Sequence, residues 1–365
     1  MPSAVVDATV SHLEREAAIG GYEAAAEAPE RLEGVYDAVA CLLGADRSEI
    51  ALVENATRAW DMAFYGIGFR PGDRILTATA EYASNYIACL QVARRTGAQV
   101  EAIPNDESGQ VDLAALAEML DDRVRVVAIT HVPTNGGLVN PAVEIGKLVR
   151  DTPALYLLDA CQSAGQLPLN VETLGCDLLS ATGRKYLRGP RGTGFLYVRK
   201  TVTGSLDPPF LDLHAAEWTG PDQYEVRSDA RRFETWESFV AGRLGLGAAL
   251  EYALGWGLDA IAARIAELAE RLRSGLAGLP GVRVRDRGRR RCGIVSFTVD
   301  TCPGVTVKRA LGARKINVSV SPGRYTLLDM HQRGLDEVVR ASVHYYNTEE
   351  EIDRTLEILE TLVGS

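Results

Sequence analysis

Ser180-Ala181-Thr182-Gly183-Arg184-Lys185-Tyr186-Leu187-Arg188-Gly189-Pro190-Arg191-Gly192-Thr193-Gly194 is the stretch on which the reading of this chain turns. Its lysine follows a short apolar run, Leu178-Leu179-Ser180, and precedes a turn rich in glycine and proline. A lysine amine that is partly desolvated and beside another cation gives up its proton more easily, and can then attack an aldehyde. Arg184 is such a neighbour, and the hydroxyls of Ser180 and Thr182 are available to a phosphate. Upstream, Leu155-Tyr156-Leu157-Leu158-Asp159-Ala160-Cys161-Gln162 reads as an apolar strand ending in a carboxylate, 26 positions before Lys185.

Strands and helices alternate around this core. Apolar spacing predicts helices over Ser3 to Ile19 and Pro29 to Leu43, with a break at Gly20-Gly21-Tyr22. Strands are expected at Ile50–Val53, Arg74–Thr77, Gln99–Ile103, Val124–Thr130, Ala154–Leu158, Leu178–Leu179 and Phe195–Val198. Helices are expected between them, at Ala83–Arg95, Leu113–Leu120 and Pro141–Arg150. Such alternation implies an α/β fold with a mostly parallel sheet covered on both faces, and ligands at the carboxyl ends of its strands. After about Ala248 the texture changes to a long helix, Leu258 to about Leu276, and strand-like runs at Val282–Val284, Ile294–Phe297, Ile316–Val320 and Val339–Val343. A last helix is expected near Thr348. This gives an N-terminal helix (1–19) packing with the small domain, a large domain (20–247) and a smaller α+β domain (248–365).

Composition narrows the function classes. The 365 residues are 46% hydrophobic and 24% charged with a net charge of −10, which is ordinary for a globular protein and unlike a nucleic-acid binder. The basic cluster Arg283, Arg285, Arg287 and Arg289-Arg290-Arg291 reads as a solvated strand end and loop. No apolar run reaches membrane-spanning length, and no partner membrane or signal segment is expected. Six scattered cysteines lack metal-ligand spacing and fit free thiols in a reducing cytoplasm, so no metal is expected. Gly192-Thr193-Gly194 and Gly245-Leu246-Gly247 do not complete a dinucleotide fingerprint.

A lysine that bonds an aldehyde and an acid for a ring nitrogen are what pyridoxal phosphate needs. With Asn55-Ala56-Thr57 opening a helix after a strand, this pattern resembles the class V aminotransferase family over nearly the whole chain. That family includes cysteine desulfurases, selenocysteine lyases, isopenicillin epimerase-like proteins and ergothioneine-pathway C–S lyases. The resemblance implies pyridoxal-phosphate fold type I, a seven-stranded sheet, a homodimer and an amino-acid substrate. It places Lys185 and Asp159 in catalysis. It places Gln162, Ala56, Thr57, Thr182, Arg184, Tyr82, Thr134 and Asn135 around the cofactor, and Arg340 on the substrate carboxylate.

Departures from the family pattern refine this. In desulfurases the Glu81-Tyr82-Ala83-Ser84-Asn85 segment puts a histidine over the ring; here Tyr82 offers a flat aromatic face instead. Desulfurases form a persulfide on a thiolate, and Val320-Ser321-Pro322-Gly323-Arg324-Tyr325-Thr326, where the family carries that cysteine, has none. Glu237 stands where family members often have a threonine that reaches a neighbour's cofactor phosphate, and Thr235 is two positions away. Family members also carry a further stretch before Pro2. His12-Leu13-Glu14-Arg15-Glu16 through Ala25 is similar to ergothioneine-pathway sulfoxide lyases. The expected activity is β-elimination on a cysteine S-conjugate or its sulfoxide, of the hercynylcysteine sulfoxide lyase type. The alternatives are an aminotransferase or epimerase sharing the same cofactor residues, and a non-catalytic scaffold.

Overall fold

The computed structural model describes residues 1–363. In chain order the first elements are α1 (Ser3–Ile19), α2 (Gly21–Ala26), α3 (Pro29–Leu43), β1 (Ile50–Val53), α4 (Ala56–Tyr65), β2 (Arg74–Ala78), α5 (Ala83–Thr96), β3 (Gln99–Ile103), α6 (Leu113–Met119), β4 (Val124–Thr130), α7 (Ala142–Val149), β5 (Leu155–Asp159), α8 (Val171–Leu174), β6 (Leu178–Thr182) and β7 (Gly194–Val198). Then come α9 (Lys200–Thr203), a hairpin of β8 (Ala216–Gly220) and β9 (Gln223–Val226), and α10 (Val240–Trp256). The chain continues with α11 (Leu258–Gly278), β10 (Val282–Val284), β11 (Ile294–Val299), α12 (Gly304–Gly312), β12 (Ser319–Pro322), α13 (Leu327–Gln332), β13 (Glu337–Ser342) and α14 (Glu349–Val363).

The seven-stranded sheet has the order β1-β7-β6-β5-β4-β2-β3, and β7 alone runs against the others. Its middle strands are buried along their length (β4 reads Val124, Val126, Val127, Ala128, Ile129), as a sheet covered on both faces requires. One core, built on Leu158, Leu179, Phe195 and Tyr197, fills the side under α3, α7 and α10. A second, built on Trp60, Phe64, Leu157 and Leu196, fills the side under α4 and α5. Leu157 and Leu158 divide between the two, as strand alternation dictates.

The small domain is an antiparallel sheet, β10-β11-β13-β12, with its own core of Leu272, Phe297, Val307 and Val339. The changeover runs inside α11. Ile261 and Ile265 pack into the large core, whereas Leu268, Leu272 and Leu276 belong to the small one. Among the described residues no helix is long and apolar enough to cross a membrane.

One local expectation is corrected. The break after Ile19 stands, and a short helix follows it directly. Gly20 takes φ +103°, which ends α1, and Gly21 opens the short α2. The strand expected over Ile316–Val320 begins only at Ser319. Lys315 sits at φ +64° and Ile316 N–H returns to Leu311 O at 3.0 Å, so residues 316–318 are still leaving α12. Ile316 and Val318 are spent on packing against the small core rather than on pairing. The elements α12, α13 and the β8–β9 hairpin were not legible. The hairpin is largely exposed, with Trp218 and Tyr224 facing outward, and carries no burial pattern to read.

Candidate active site

The carboxyl ends of β2, β4, β5 and β6 and the amino end of α4 converge on one cavity of about 510 Å³. Its walls include Ala56, Thr57, Tyr82, Thr134, Asp159, Gln162, Thr182, Arg184 and Lys185. These nine expected residues, scattered over 130 positions, are brought together by strand order alone.

Lys185 is half-buried in a tight excursion between β6 and β7. The turn is fastened at both ends: Gly183 N–H to Thr193 O at 3.0 Å, and Gly189 N–H to Gly183 O at 2.7 Å. Arg188 adopts φ +63° there. Its guanidinium lies 4.3 Å from the Tyr346 ring centre and donates to Tyr345 Oη at 3.2 Å, contacts that offset the cost of that backbone. On the other side Gly165, at φ +89°, lets the backbone of Tyr186 and Leu187 come so close that a Cβ would clash.

Asp159 ends β5 and is 6% exposed. Asn85 Nδ2 donates to its Oδ2 at 2.9 Å, and Cys161 N–H donates to its Oδ1 at 2.8 Å. Burial raises its pKa; Asn85, the Cys161 amide and Lys185 pull the other way. The same Asn85 amide donates to Glu81 Oε1 at 2.9 Å. Glu81 is 4% exposed and also accepts from Tyr82 N–H (2.9 Å), Thr130 N–H (3.0 Å), Thr77 Oγ1 (3.1 Å) and the Thr130 hydroxyl. Two buried carboxyls are thus joined through one amide. Glu81 and Asn85 lie four apart across the start of α5, one helical turn, but only the fold reveals that both meet Asp159.

Burial, with the Asp159 charge adding to it, lifts the Glu81 carboxyl from an ordinary 4.5 to about 7. Folding therefore favours its protonated form by roughly 3 kcal/mol, taking ~1.4 kcal/mol per unit. A raised carboxyl contributes stability that is present below about 4.5 and lost as the pH rises through about 7. In urea unfolding across that window the wild type should lose stability relative to Glu81→Gln as the pH rises, while the buried neutral His131 and His344, held at about 3 and about 4, act in the opposite sense in both proteins. An unchanged slope in the variant would mean that Glu81 does not hold the proton.

Thr134 joins the domains at the cavity. Its Oγ1 accepts from Gln162 Nε2 at 3.4 Å and from Arg340 Nη1 at 2.5 Å. Arg340 comes from β13 in the small domain, and its Nε is buried without a protein partner. That Nε is enclosed by protein and Arg340 is not among the cavity-lining residues, so the guanidinium has to turn to offer an edge to a carboxylate. At the amino end of α4, Asn55 Oδ1 caps Arg58 N–H at 2.9 Å, while Ala56 and Thr57 face the cavity. A helix amino end of this kind suits a phosphate.

Two expectations are corrected here. Asn135 does not line the cavity. Its amide is committed to Thr326 Oγ1 (3.1 Å), Pro322 O (3.4 Å) and the hydroxyl of Ser321 (2.5 Å), so it clasps the small-domain loop and the polar wall falls to Thr134. Ser180 is fully buried beside Asp159 and does not reach the cavity, while Thr182 Oγ1 donates to Thr193 O at 3.1 Å. Residues not anticipated are Asn85, Thr130, Val132, Arg191 and Cys161, all on the cavity wall. The Cys161 thiol is within hydrogen-bonding reach of Lys185, and burial raises its pKa despite that cation. Glu237 lies in an adjoining cleft with Arg58, Gly192 and Arg243, and Thr235 Oγ1 turns back onto Glu237 O. No group of three or more metal-ligating side chains stands together among the described residues.

Known proteins share this sequence pattern and fold. The model of the family Aminotransferase class-V matches residues 1–355. A probable cysteine desulfurase of Methanothermobacter thermautotrophicus is 31% identical over 94% of this chain and 87% of its own length. Another from Synechocystis is 30% identical over 99% and 88%. The apo structure of a cysteine desulfurase from Thermococcus onnurineus NA1 superposes with a TM-score of 0.93 at 30% identity, covering 100% of this chain and 92% of that one. The cystine C-S lyase C-DES, seen with cysteine persulfide, superposes with a TM-score of 0.88 at 26% identity, over 99% and 94%. The fold is therefore that of the pyridoxal-phosphate fold type I enzymes, and the cavity fits their cofactor: an amine, a buried carboxylate, an aromatic face and a helix amino end all open onto it. A match that runs from the first residue through β13, at these identities and coverages, settles the family: the chain is a class-V aminotransferase family member, a pyridoxal-phosphate enzyme by descent.

Proposed function

We propose that this enzyme is a pyridoxal-phosphate-dependent C–S lyase that eliminates sulfur from the β-carbon of a cysteine S-conjugate or its sulfoxide, of the hercynylcysteine sulfoxide type. The observation that carries the reading is the pairing of a cavity walled by a lysine and a buried carboxylate with a small-domain loop that has no thiol. Lys185 and Asp159 face the cavity, and the Val320–Thr326 loop, clasped by Asn135, contains no cysteine. An elimination needs a base and an electron sink, not a persulfide carrier. Cys161 does not substitute for one, because burial keeps its thiol protonated and a thiol is a poor nucleophile.

Each residue has a role that follows from its place. Lys185 would hold the cofactor, Asp159 its ring nitrogen, Ala56 and Thr57 its phosphate, with Tyr82, Thr182, Arg184 and Gln162 around it. When bound, pyridoxal phosphate withdraws electrons from the α-carbon of an attached amino acid and so acidifies its C–H bond. The free Lys185 amine takes that proton. Arg340, reached through its contact with Thr134, would turn its guanidinium toward the cavity to hold the substrate carboxylate. The Cβ–S bond would then break with its electron pair leaving on sulfur, which takes up a proton, and water would hydrolyse the remaining three-carbon enamine to pyruvate and ammonia. A homodimer fits this reading. Trp236 and Phe239, on the segment that leads to Glu237, are 56% and 43% exposed, as a subunit contact would require.

The test is pyruvate release from cysteine S-conjugates and their sulfoxides. Cys161→Ser, which keeps the backbone N–H on Asp159 and a hydroxyl within reach of Lys185, should retain turnover within about threefold, the scale of one exchanged hydrogen bond. Turnover that disappears with this thiol would instead favour sulfur transfer through Cys161. Substrate consumption without pyruvate would move the reaction to transamination or epimerisation. A protein that takes up no pyridoxal phosphate would leave the scaffold reading.

A further inference from the structure

Among the described residues only Arg188 and Lys315 take a positive φ without being glycine. Lys315 does so on the way out of α12. Arg188, at φ +63°, does so three residues after Lys185. Such a backbone persists only where the surroundings impose it, and it concentrates at functional sites. Two bonds depend on it. Arg188 N–H donates to Lys185 O at 2.9 Å, and Gly189 N–H donates to Gly183 O at 2.7 Å. The two bonds bracket Lys185, and the peptide planes that make them pivot on the Arg188 Cα. Turning Arg188 into an ordinary helical or extended conformation would break one of them and swing the lysine.

The hold on Arg188 comes from outside the turn. Its guanidinium lies 4.3 Å from the ring centre of Tyr346, 5.2 Å from that of Tyr345 and 5.8 Å from that of Tyr252 on α10. Its Nε is buried without a hydrogen-bond partner, so the rings and the Tyr345 hydroxyl do the holding. Tyr186, beside Lys185, is buried, and its ring lies 4.5 Å from that of His344, which stacks on Tyr346 at 5.0 Å. Both grips end on one segment, His344-Tyr345-Tyr346. That segment is a closed turn: Asn347 N–H donates to His344 O at 3.0 Å, and His344 N–H donates to Asn347 Oδ1 at 2.8 Å. It begins two residues past β13, the strand that carries Arg340. Joining the domains does not require this device, because ordinary backbone bonds already do so: Arg287 N–H to Gly136 O and Cys292 N–H to Gly137 O, both at 2.8 Å.

We propose that Arg188 is a positioning residue: gripped by the aromatic segment 344–346, it sets the reach of the Lys185 amine and keeps that amine in register with the strand of Arg340. This role requires that Lys185 hold the cofactor, and it is independent of which substrate bond then breaks. A reacting group displaced by about 1 Å can lose on the order of 10²-fold in rate, so a small shift of the turn is enough to matter.

The test is the rate at which pyridoxal phosphate bonds to the apoprotein, followed by the absorbance of the lysine-bound cofactor, with kcat and KM measured alongside. Arg188→Gly removes the grip and leaves a residue that accepts φ +63° freely, so the melting temperature should stay within about 5 °C. Bonding should slow roughly tenfold and kcat fall roughly ten- to 100-fold, with KM within about threefold. Borohydride should still fix the cofactor to Lys185. Tyr346→Leu, at a ring that is 55% exposed, should slow bonding in the same direction, and Tyr346→Phe, which keeps the ring face, should restore it. The double variant Arg188→Gly/Tyr346→Leu should bond no more slowly than Arg188→Gly alone, because the ring acts through the guanidinium. Slowed bonding in a protein that releases no pyruvate from any conjugate would uphold the role and count only against elimination. Unchanged bonding and kcat in Arg188→Gly, or a Tyr346→Leu loss that adds in full to that of Arg188→Gly, would overturn it. If Arg188→Gly does not fold, Tyr346→Leu decides, and bonding at the wild-type rate in that variant overturns it.

Discussion

Lys185→Ala is expected to yield a folded protein that no longer bonds its cofactor and has lost at least ~10⁴-fold in turnover, the upper end of what a positioned proton-transfer group contributes. The side chain reaches the cavity from a turn held by backbone bonds between Gly183, Thr193 and Gly189, none of which involves the lysine amine. Truncation should therefore leave the turn intact. The measurement separates bonding from rate. Borohydride treatment followed by mass spectrometry should fix the cofactor to the wild-type chain and not to the variant. Visible absorbance of the lysine-bound cofactor should vanish in parallel. If borohydride still fixed the cofactor to the variant, another amine would be the anchor and the site would have to be rebuilt around it.

The parts of the site that were legible in the sequence are those whose chemistry is local. Lys185 and Asp159 each follow an apolar strand, and the rule that ligands gather at strand ends was enough to pair them across 26 positions. Thr134 and Asn135 show the limit of that reasoning. Neighbours in sequence at a loop point in opposite directions, and only the fold decides that Thr134 meets Gln162 and Arg340 while Asn135 meets Thr326. Glu81 was visible as part of a segment but not as a group with a role. Its significance is its link to Asp159 through Asn85, 74 positions away from that aspartate. The same holds for the fold. Helices α1 and α3 were readable because apolar residues recur at helical spacing; in α3 that face is buried, whereas in α1 Val6, Val10 and Leu13 stay exposed and the buried residues are Val5 and His12. The start of β12 was not, because Ile316 and Val318 look like strand residues but are consumed by the exit from α12.

Asp159→Asn is expected to cost roughly 10²- to 10³-fold in turnover, the range measured for removing one preorganised electrostatic partner of a developing charge. The argument starts from the environment. A carboxylate that is 6% exposed is costly to ionise, and burial raises its pKa accordingly. The fold supplies donors that favour the charged form, the Asn85 amide and the Cys161 N–H, and places Lys185 nearby. Glu81, two hydrogen bonds away, carries a proton up to about 7, which spares Asp159 a second negative charge below that pH. An asparagine has nearly the same shape and can still accept from Cys161 N–H, but it carries no charge to hold a proton on the ring nitrogen. The cofactor should therefore still bind, with its absorbance band retained and its affinity changed far less than turnover. Glu81→Gln, in contrast, leaves the Asp159 carboxylate in place, and its loss should be small below pH 7. Equal losses in the two variants would mean that the pair acts as one structural unit. A cofactor that binds and turns over normally in Asp159→Asn would remove the electron-sink role assigned to this carboxylate, and with it the geometric basis for elimination in this cavity.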